Sequence, residues 1–280
     1  KGSDPTRLEN IRSHGAEAGI TDLNYDDAVR LAWKMACENG WIMVQDTAWD
    51  GYEDIPTWII QGYAALAVEA LAQWRAEELE PPTHLFLQAG VGSFASGVLG
   101  YMASELGDAL PTTIIVEPHA ADCIYRSALA GDGQPHNVTG DLSTLMAGLA
   151  CGEPCTVGWP ILRDYASAYV SCPDYVAANG MRLYAAALRE AIDTVDPRIR
   201  LGQCSCITCW DQEGVTSPEM SKIFAGSTRP FLRTIGAPYW APPKNWGNRL
   251  GDVIDINRRE IRTAHEYDPD IEVIGEGDVW

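Results

Sequence analysis

The sequence predicts an α/β protein: a parallel sheet with flanking helices, followed by a partial (β/α) barrel-like segment. Three observations carry that expectation. Short apolar runs alternate with longer stretches of helical period. A glycine-rich turn, Gln88 to Gly97, joins one such run directly to a helical stretch. In the last hundred residues, strand starts recur roughly every 30–40 residues, the spacing of (β/α) units. Three such units are too few to close a barrel.

Each element has a local reason. Asn24 can cap a helix with Asp27 as its third residue, and Asn39-Gly40 ends it. Ala28, Val29, Leu31, Ala32 and Met35 supply its apolar face. Trp41–Gln45 reads as a short buried strand. Ile55 to Arg75 fits a long helix that turns Ile59, Ile60, Tyr63, Leu66, Ala67 and Leu71 inward. Strand His84–Gln88, helix Ser93–Leu106 and strand Thr113–Val116 follow. Further on, Ile199–Cys204, Phe231–Ile235 and Ile271–Ile274 read as strands, with helices at Pro218–Ala225 and Asp252–Tyr267. Strand-helix-strand alternation argues for parallel pairing with helices on the sheet.

Composition narrows the function classes. At 46% hydrophobic and 21% charged, the 280 residues are globular rather than disordered. Twenty basic against 39 acidic side chains give a net charge of −19, a field that repels phosphate backbones and anionic lipid. No nucleic-acid or membrane partner is expected. The longest run without charge, Pro81 to Ser104, holds two prolines and four glycines and does not read as a membrane helix. With no basic and apolar leader at Lys1, the expected location is the cytoplasm. Eight cysteines are too sparse for a disulfide scaffold. Cys204, Cys206 and Cys209 lie close together, but no second ligand pair follows, so no metal site is expected. Residues 1–180 carry 8 basic and 24 acidic side chains, and residues 181–280 carry 12 and 15. That shift places a domain boundary between about Met181 and Asp196.

The sharpest chemical signal is Gln88-Ala89-Gly90-Val91-Gly92-Ser93-Phe94-Ala95-Ser96-Gly97, set between a strand and a helix. Free N–H groups at a helix start form an anion cradle aided by the helix dipole, and phosphate is its commonest guest. No Gly-Lys-Ser/Thr follows, which excludes a nucleoside-triphosphate loop. Gly90, Gly92 and Ala95 also match G-x-G-x-x-A, with Glu117 at the end of the next strand, close to the dinucleotide fingerprint. That fingerprint normally opens its domain, whereas more than 80 residues precede it here. A tight turn with no ligand is the plainer alternative.

Several ordered runs go further than the pattern. They are Asn24-Tyr25-Asp26-Asp27, Val44-Gln45-Asp46-Thr47-Ala48-Trp49, Ile55-Pro56-Thr57-Trp58-Ile59 and Gln61-Gly62-Tyr63. After Gln88–Gly92 come Val116-Glu117-Pro118, then the run from Ala121 to Ser127 and the run from Met146 to Pro154. From Lys1 to about Arg182 the chain resembles the diaminopropionate ammonia-lyases, pyridoxal-phosphate enzymes of the tryptophan-synthase-β type. The resemblance implies that fold for residues 1–182, pyridoxal 5'-phosphate as cofactor, a small amino-acid substrate and a homodimer. It implies elimination of ammonia from 2,3-diaminopropionate to give pyruvate.

Residue by residue, Gly90, Val91, Gly92, Ser93 and Phe94 match the family's loop for the cofactor phosphate. Asp46 matches a family acid that moves the substrate Cα proton, although a strand-end aspartate also serves as a turn former. Cys123 and Cys151 fall in two matched motifs, and a pairing between them stays open. The chain also departs from the family. The lysine that carries the cofactor lies in a segment these residues do not match, and only Lys1, Lys34, Lys222 and Lys244 are present. The 280-residue chain alone is therefore expected to be inactive or nearly so. After about residue 183 the sequence looks like a piece of a glycosidase-like barrel protein. There Asp211, Glu276 and Asp278 are either candidate carboxylates or ordinary loop acids.

Overall fold

The computed structural model describes residues 5–201, 203–205, 217–234, 258 and 261–275. The chain runs α1 (Pro5–Ser13), α2 (Tyr25–Asn39), α3 (Asp54–Ala76), β1 (His84–Gln88) and α4 (Ser93–Leu106). It continues through β2 (Thr112–Pro118), α5 (Cys123–Ala130), α6 (Trp159–Tyr165), β3 (Ala168–Cys172) and α7 (Asp174–Val195). Last come β4 (Gln203–Ser205), α8 (Ser217–Ala225), β5 (Phe231–Thr234) and β6 (Glu272–Gly275), with residues 261–267 helical before β6. Two compact units result: one spans Asp22–Asp174, and the other takes the described residues of Gly2–Thr21 and Tyr175–Trp280.

The first unit is built on the parallel sheet β1-β2-β3, with β2 central. Leu87 and Ile115 point to one face, where α3, α4, α5 and α6 bury them with Ala67, Leu71, Val98, Leu99, Ile124 and Leu162. Full burial of each large aliphatic side chain stabilises by about 1.5–3 kcal/mol, so this layer is the main source of the unit's stability. The opposite face is more open: Phe86 is 66% exposed. Helices α3 and α4 meet at Gly97, where a Cβ would stand 2.3 Å from the Ile60 carbonyl oxygen. By length and composition α3 could also cross a membrane. In this fold it turns Ile60, Ala67 and Leu71 into the core.

The element boundaries agree closely with the sequence reading for α2, β1, α4 and α8. Asn24 caps α2 by accepting the Asp27 N–H, and Gly40 closes it in the left-handed region at φ +67°. Three expectations need correction. Trp41–Gln45 is not a strand: Ile42 is 82% exposed, and the Gln45 N–H bonds the Tyr52 hydroxyl rather than a neighbouring strand. Apolar residues alone do not make a strand without a lateral partner. On α2 the buried residues are Asp26 and Ala36, with Leu31 and Met35 exposed, so the helix is rotated from its expected face. On α3, Leu66 is 53% exposed while Ile60, Ala67 and Leu71 are buried.

The second unit holds the parallel sheet β4-β5-β6 in sequential order. Leu232, Ala264 and Ile271 form its small core. Its first strand is shorter than the sequence suggested, since Ile199 lies outside β4. Helix α7 is tied to this unit by Arg189, whose guanidinium donates to the Ile199 and Phe224 carbonyls and pairs with Asp193. Arg182 adds an ion pair with Glu219 of α8.

Candidate functional site

The site grows from the turn between β1 and α4. Ala89 extends the β1–β2 ladder by donating to the Val116 carbonyl at 2.9 Å. Gly92, at φ +93°, is the N-cap of α4, and no side chain caps the helix. The first intrahelical bond runs from the Ser96 N–H to the Gly92 carbonyl. The amides of Ser93, Phe94 and Ala95 precede it and have no acceptor within the helix. They lie at the positive end of the helix dipole, at the carboxyl end of a parallel strand. A Cβ on Gly92 would sit 2.8 Å from Leu162 Cδ1, and one on Gly90 would sit 3.2 Å from Cys151 Sγ. The missing side chain of Gly92 makes room for the protein's own core, and its φ demands glycine.

Asp46 is brought to this turn from 47 residues away. The Ser93 hydroxyl donates to the Asp46 carbonyl at 2.6 Å, so that hydrogen is committed to protein rather than free for a ligand. The Tyr63 hydroxyl donates to Asp46 Oδ2 at 3.2 Å. Cys155 stitches the region together: its N–H bonds the Val91 carbonyl, and its thiol accepts from the Ala48 N–H. Tyr25 donates to Gln45 Oε1. Burial pushes its phenol up to about 12, against the pull of Thr47 and with the Asp46 charge adding to the rise. Sequence reasoning missed Tyr63 and Cys155 as site residues. Tyr63 looked like one more apolar position on α3, and its signal was the polar tip that a buried tyrosine must satisfy.

The residues beside the turn are spoken for. Glu117 is 1% exposed, and its two oxygens accept the N–H groups of Ile124 and Tyr125 at 2.8 and 2.6 Å. Burial pushes its carboxyl up to about 8, with those two amides pulling the other way. It cannot reach a ribose, as the dinucleotide fingerprint would require. Cys123 and Cys151 are both buried free thiols. Cys123 donates to the Gly90 carbonyl at 3.5 Å.

Lys34 is exposed on α2, 3.8 Å from Glu38. Lys222 pairs with Asp268 in the second unit. Lys1, Lys244, Cys206, Cys209, Asp211, Glu276 and Asp278 lie outside the described residues, as does the side chain of Cys204. No group of three or more metal-ligating side chains gathers among the described residues. The open amides of α4 thus fit the phosphate end of a cofactor, while Lys34, the described lysine of the same unit, stands exposed beside Glu38.

Known proteins are similar to this chain. A family described as pyridoxal-phosphate dependent enzyme matches residues 1–193. The diaminopropionate ammonia-lyase of Salmonella typhimurium is 59% identical over 194 residues, 69% of this chain and 48% of that protein. Its Escherichia coli K12 counterpart is 52% identical over 207 residues, 74% of this chain and 50% of that protein. The chain thus spans about half the length of these relatives. The crystal structure of holo diaminopropionate ammonia-lyase from Escherichia coli superposes with a TM-score of 0.59 at 54% identity, covering 65% of this chain and 45% of that one. A threonine deaminase of known structure shares the fold at a TM-score of 0.52 and 21% identity, covering 66% of this chain and 55% of that one. Over most of its length, and through the very turn that carries the open amides, the chain belongs to the pyridoxal-phosphate dependent enzymes.

Proposed function

We propose that this chain carries the phosphate seat and one acid of a diaminopropionate ammonia-lyase, with pyridoxal 5'-phosphate as cofactor. The observation that carries the reading is the uncapped N-terminus of α4, joined by the Ser93 hydroxyl to Asp46. Within the loop Gly90–Phe94, the backbone amides left open from Ser93 onward would hold the phosphate dianion. When bound, the cofactor supplies an electron sink for the pair left as Cα loses its proton. Asp46 moves that proton through its carboxylate oxygens. Loss of the β-amino group and hydrolysis then give pyruvate and two ammonia from 2,3-diaminopropionate. The 280-residue chain alone would hold the cofactor reversibly and turn over little, because Lys34, the described lysine of the same unit, is engaged with Glu38 on the exposed side of α2.

The same reading assigns residues 1–182 to the lyase-like region and residues 183–280 to a separate (β/α) barrel-like, glycosidase-type fragment, which the sequential parallel order of β4, β5 and β6 supports. It also implies a small amino-acid substrate, a homodimer and a cytoplasmic location. The net charge of −19 weighs against nucleic-acid partners.

The test is a pyridoxal-phosphate titration followed by absorbance, with inorganic phosphate as competitor. Binding that phosphate displaces, with no borohydride-trapped adduct on Lys34 or Lys222, is the expected result. Binding insensitive to phosphate, or none, sinks the assignment.

A further inference from the structure

We propose that Tyr63 is the positioning residue of Asp46, its hydroxyl holding Oδ2 so that the other carboxylate oxygen is presented to the substrate. This deepens the proposed function and rests on the reading of Asp46 as the acid that serves Cα. Three observations lead to it. First, among the described residues the Tyr63 hydroxyl is the hydrogen-bond donor to the Asp46 carboxylate, at 3.2 Å. The Asp46 backbone is already tethered to α4 by Ser93, so the side-chain torsions are its remaining freedom. One bond to Oδ2 removes most of it.

Second, the ring is placed by packing that does not need the hydroxyl. It meets Phe94 edge-on, with centroids 5.6 Å apart and planes at 81°. Its Cβ lies 3.0 Å from where a Gly97 side chain would start, at the close crossing of α3 and α4. A phenylalanine would fill this position equally well, so the hydroxyl is the part that packing leaves unexplained. Phe94 belongs to the amide turn, and Tyr63 therefore links the phosphate seat to the acid through one side chain.

Third, the phenol stays protonated at neutral pH. Burial raises its pKa, and the Asp46 charge raises it further, so it remains a donor. The Asp46 charge is also felt by Tyr25 and Cys151, which are unaltered in the variant below.

The experiment compares the full chain with Tyr63→Phe. The Asp46 carboxyl resonance is read by carbon NMR at one neutral pH, and pyridoxal-phosphate affinity is measured separately. Losing the donor at Oδ2 should shift the Asp46 carboxyl resonance. Cofactor affinity should stay within about twofold, because the phosphate donors are backbone amides. An unmoved resonance overturns the proposal. So does a tenfold loss of cofactor affinity, which would make Tyr63 part of the seat itself. Should Tyr63→Phe fold poorly, Asp46→Asn reads the pair from the other side. Removing the carboxylate charge should lower the Tyr63 phenol midpoint, and an unchanged midpoint overturns the proposal equally. Failure of the unaltered chain to bind cofactor is read in its own titration and counts against the proposed function instead.

Discussion

Helices α4 and α5 begin in the same way and end up chemically opposite. Each follows a parallel strand of the same sheet, α4 after β1 and α5 after β2, and each points its first amides past the strand ends. At α5 those amides are filled from inside by the Glu117 carboxylate. At α4 no side chain caps the helix. The contrast shows how one architecture yields both a filled helix start and an uncapped one. A helix start with an internal carboxylate has no room for phosphate, and a start without one does.

The comparison can be broken most forcefully at the open end. Gly92→Val combines a left-handed φ with a Cβ 2.8 Å from Leu162, and should destabilise the unit by about 4 kcal/mol or more. Urea unfolding measures this, and loss of cofactor binding in that variant will reflect lost structure as much as lost space.

At the filled end, Glu117→Ala leaves two buried amides without acceptors and should cost about 3 kcal/mol. Glu117 also makes stability depend on pH. Its carboxyl titrates near 4.5 when unfolded and at about 8 when folded, so the folded form holds the proton more tightly. That stabilisation is complete below about pH 4.5 and is lost as pH rises through about 8. Glu117→Gln should flatten this slope in thermal melts recorded across that window, and a slope that survives removes Glu117 as its source.

Ligand linkage sharpens the contrast. Pyridoxal phosphate at a hundredfold excess over its Kd should stabilise the first unit by about 2.7 kcal/mol, visible as a higher Tm. Glu117→Gln should leave this increment intact if the two helix starts act independently. Ser93→Ala is the mildest test. Losing the hydroxyl bond to the Asp46 carbonyl should cost about 1 kcal/mol in urea unfolding. An unchanged stability would show that Tyr63 and the Cys155 thiol, which donates to the Asp46 carbonyl at 3.6 Å, suffice to hold Asp46 beside the turn.

The legible parts of the site are those whose rules are local. The glycine turn announced its strand and its helix. What stayed hidden was which side chains meet. Glu117 looked like a ribose ligand because it ends a strand at the right spacing, and only its burial against α5 removes that role. Nor does the sequence show that the Ser93 hydroxyl is committed to the Asp46 carbonyl.

The sequence by itself determined the start and end of α2, from Asn24 and Gly40, and the borders of β1 and α4. It also carried the family, because ordered words survive whatever the chain does in space. Tertiary structure alone decided that Trp41–Gln45 has no strand to pair with, that α2 and α3 turn other faces inward, and that the Tyr63 hydroxyl meets Asp46. The reason is one of range. A cap or a turn is satisfied within about four residues, where the sequence states both partners. Strand pairing, helix rotation and the bonds of Asp46 to partners 17 and 47 residues away depend on contacts that exist only once the chain has packed.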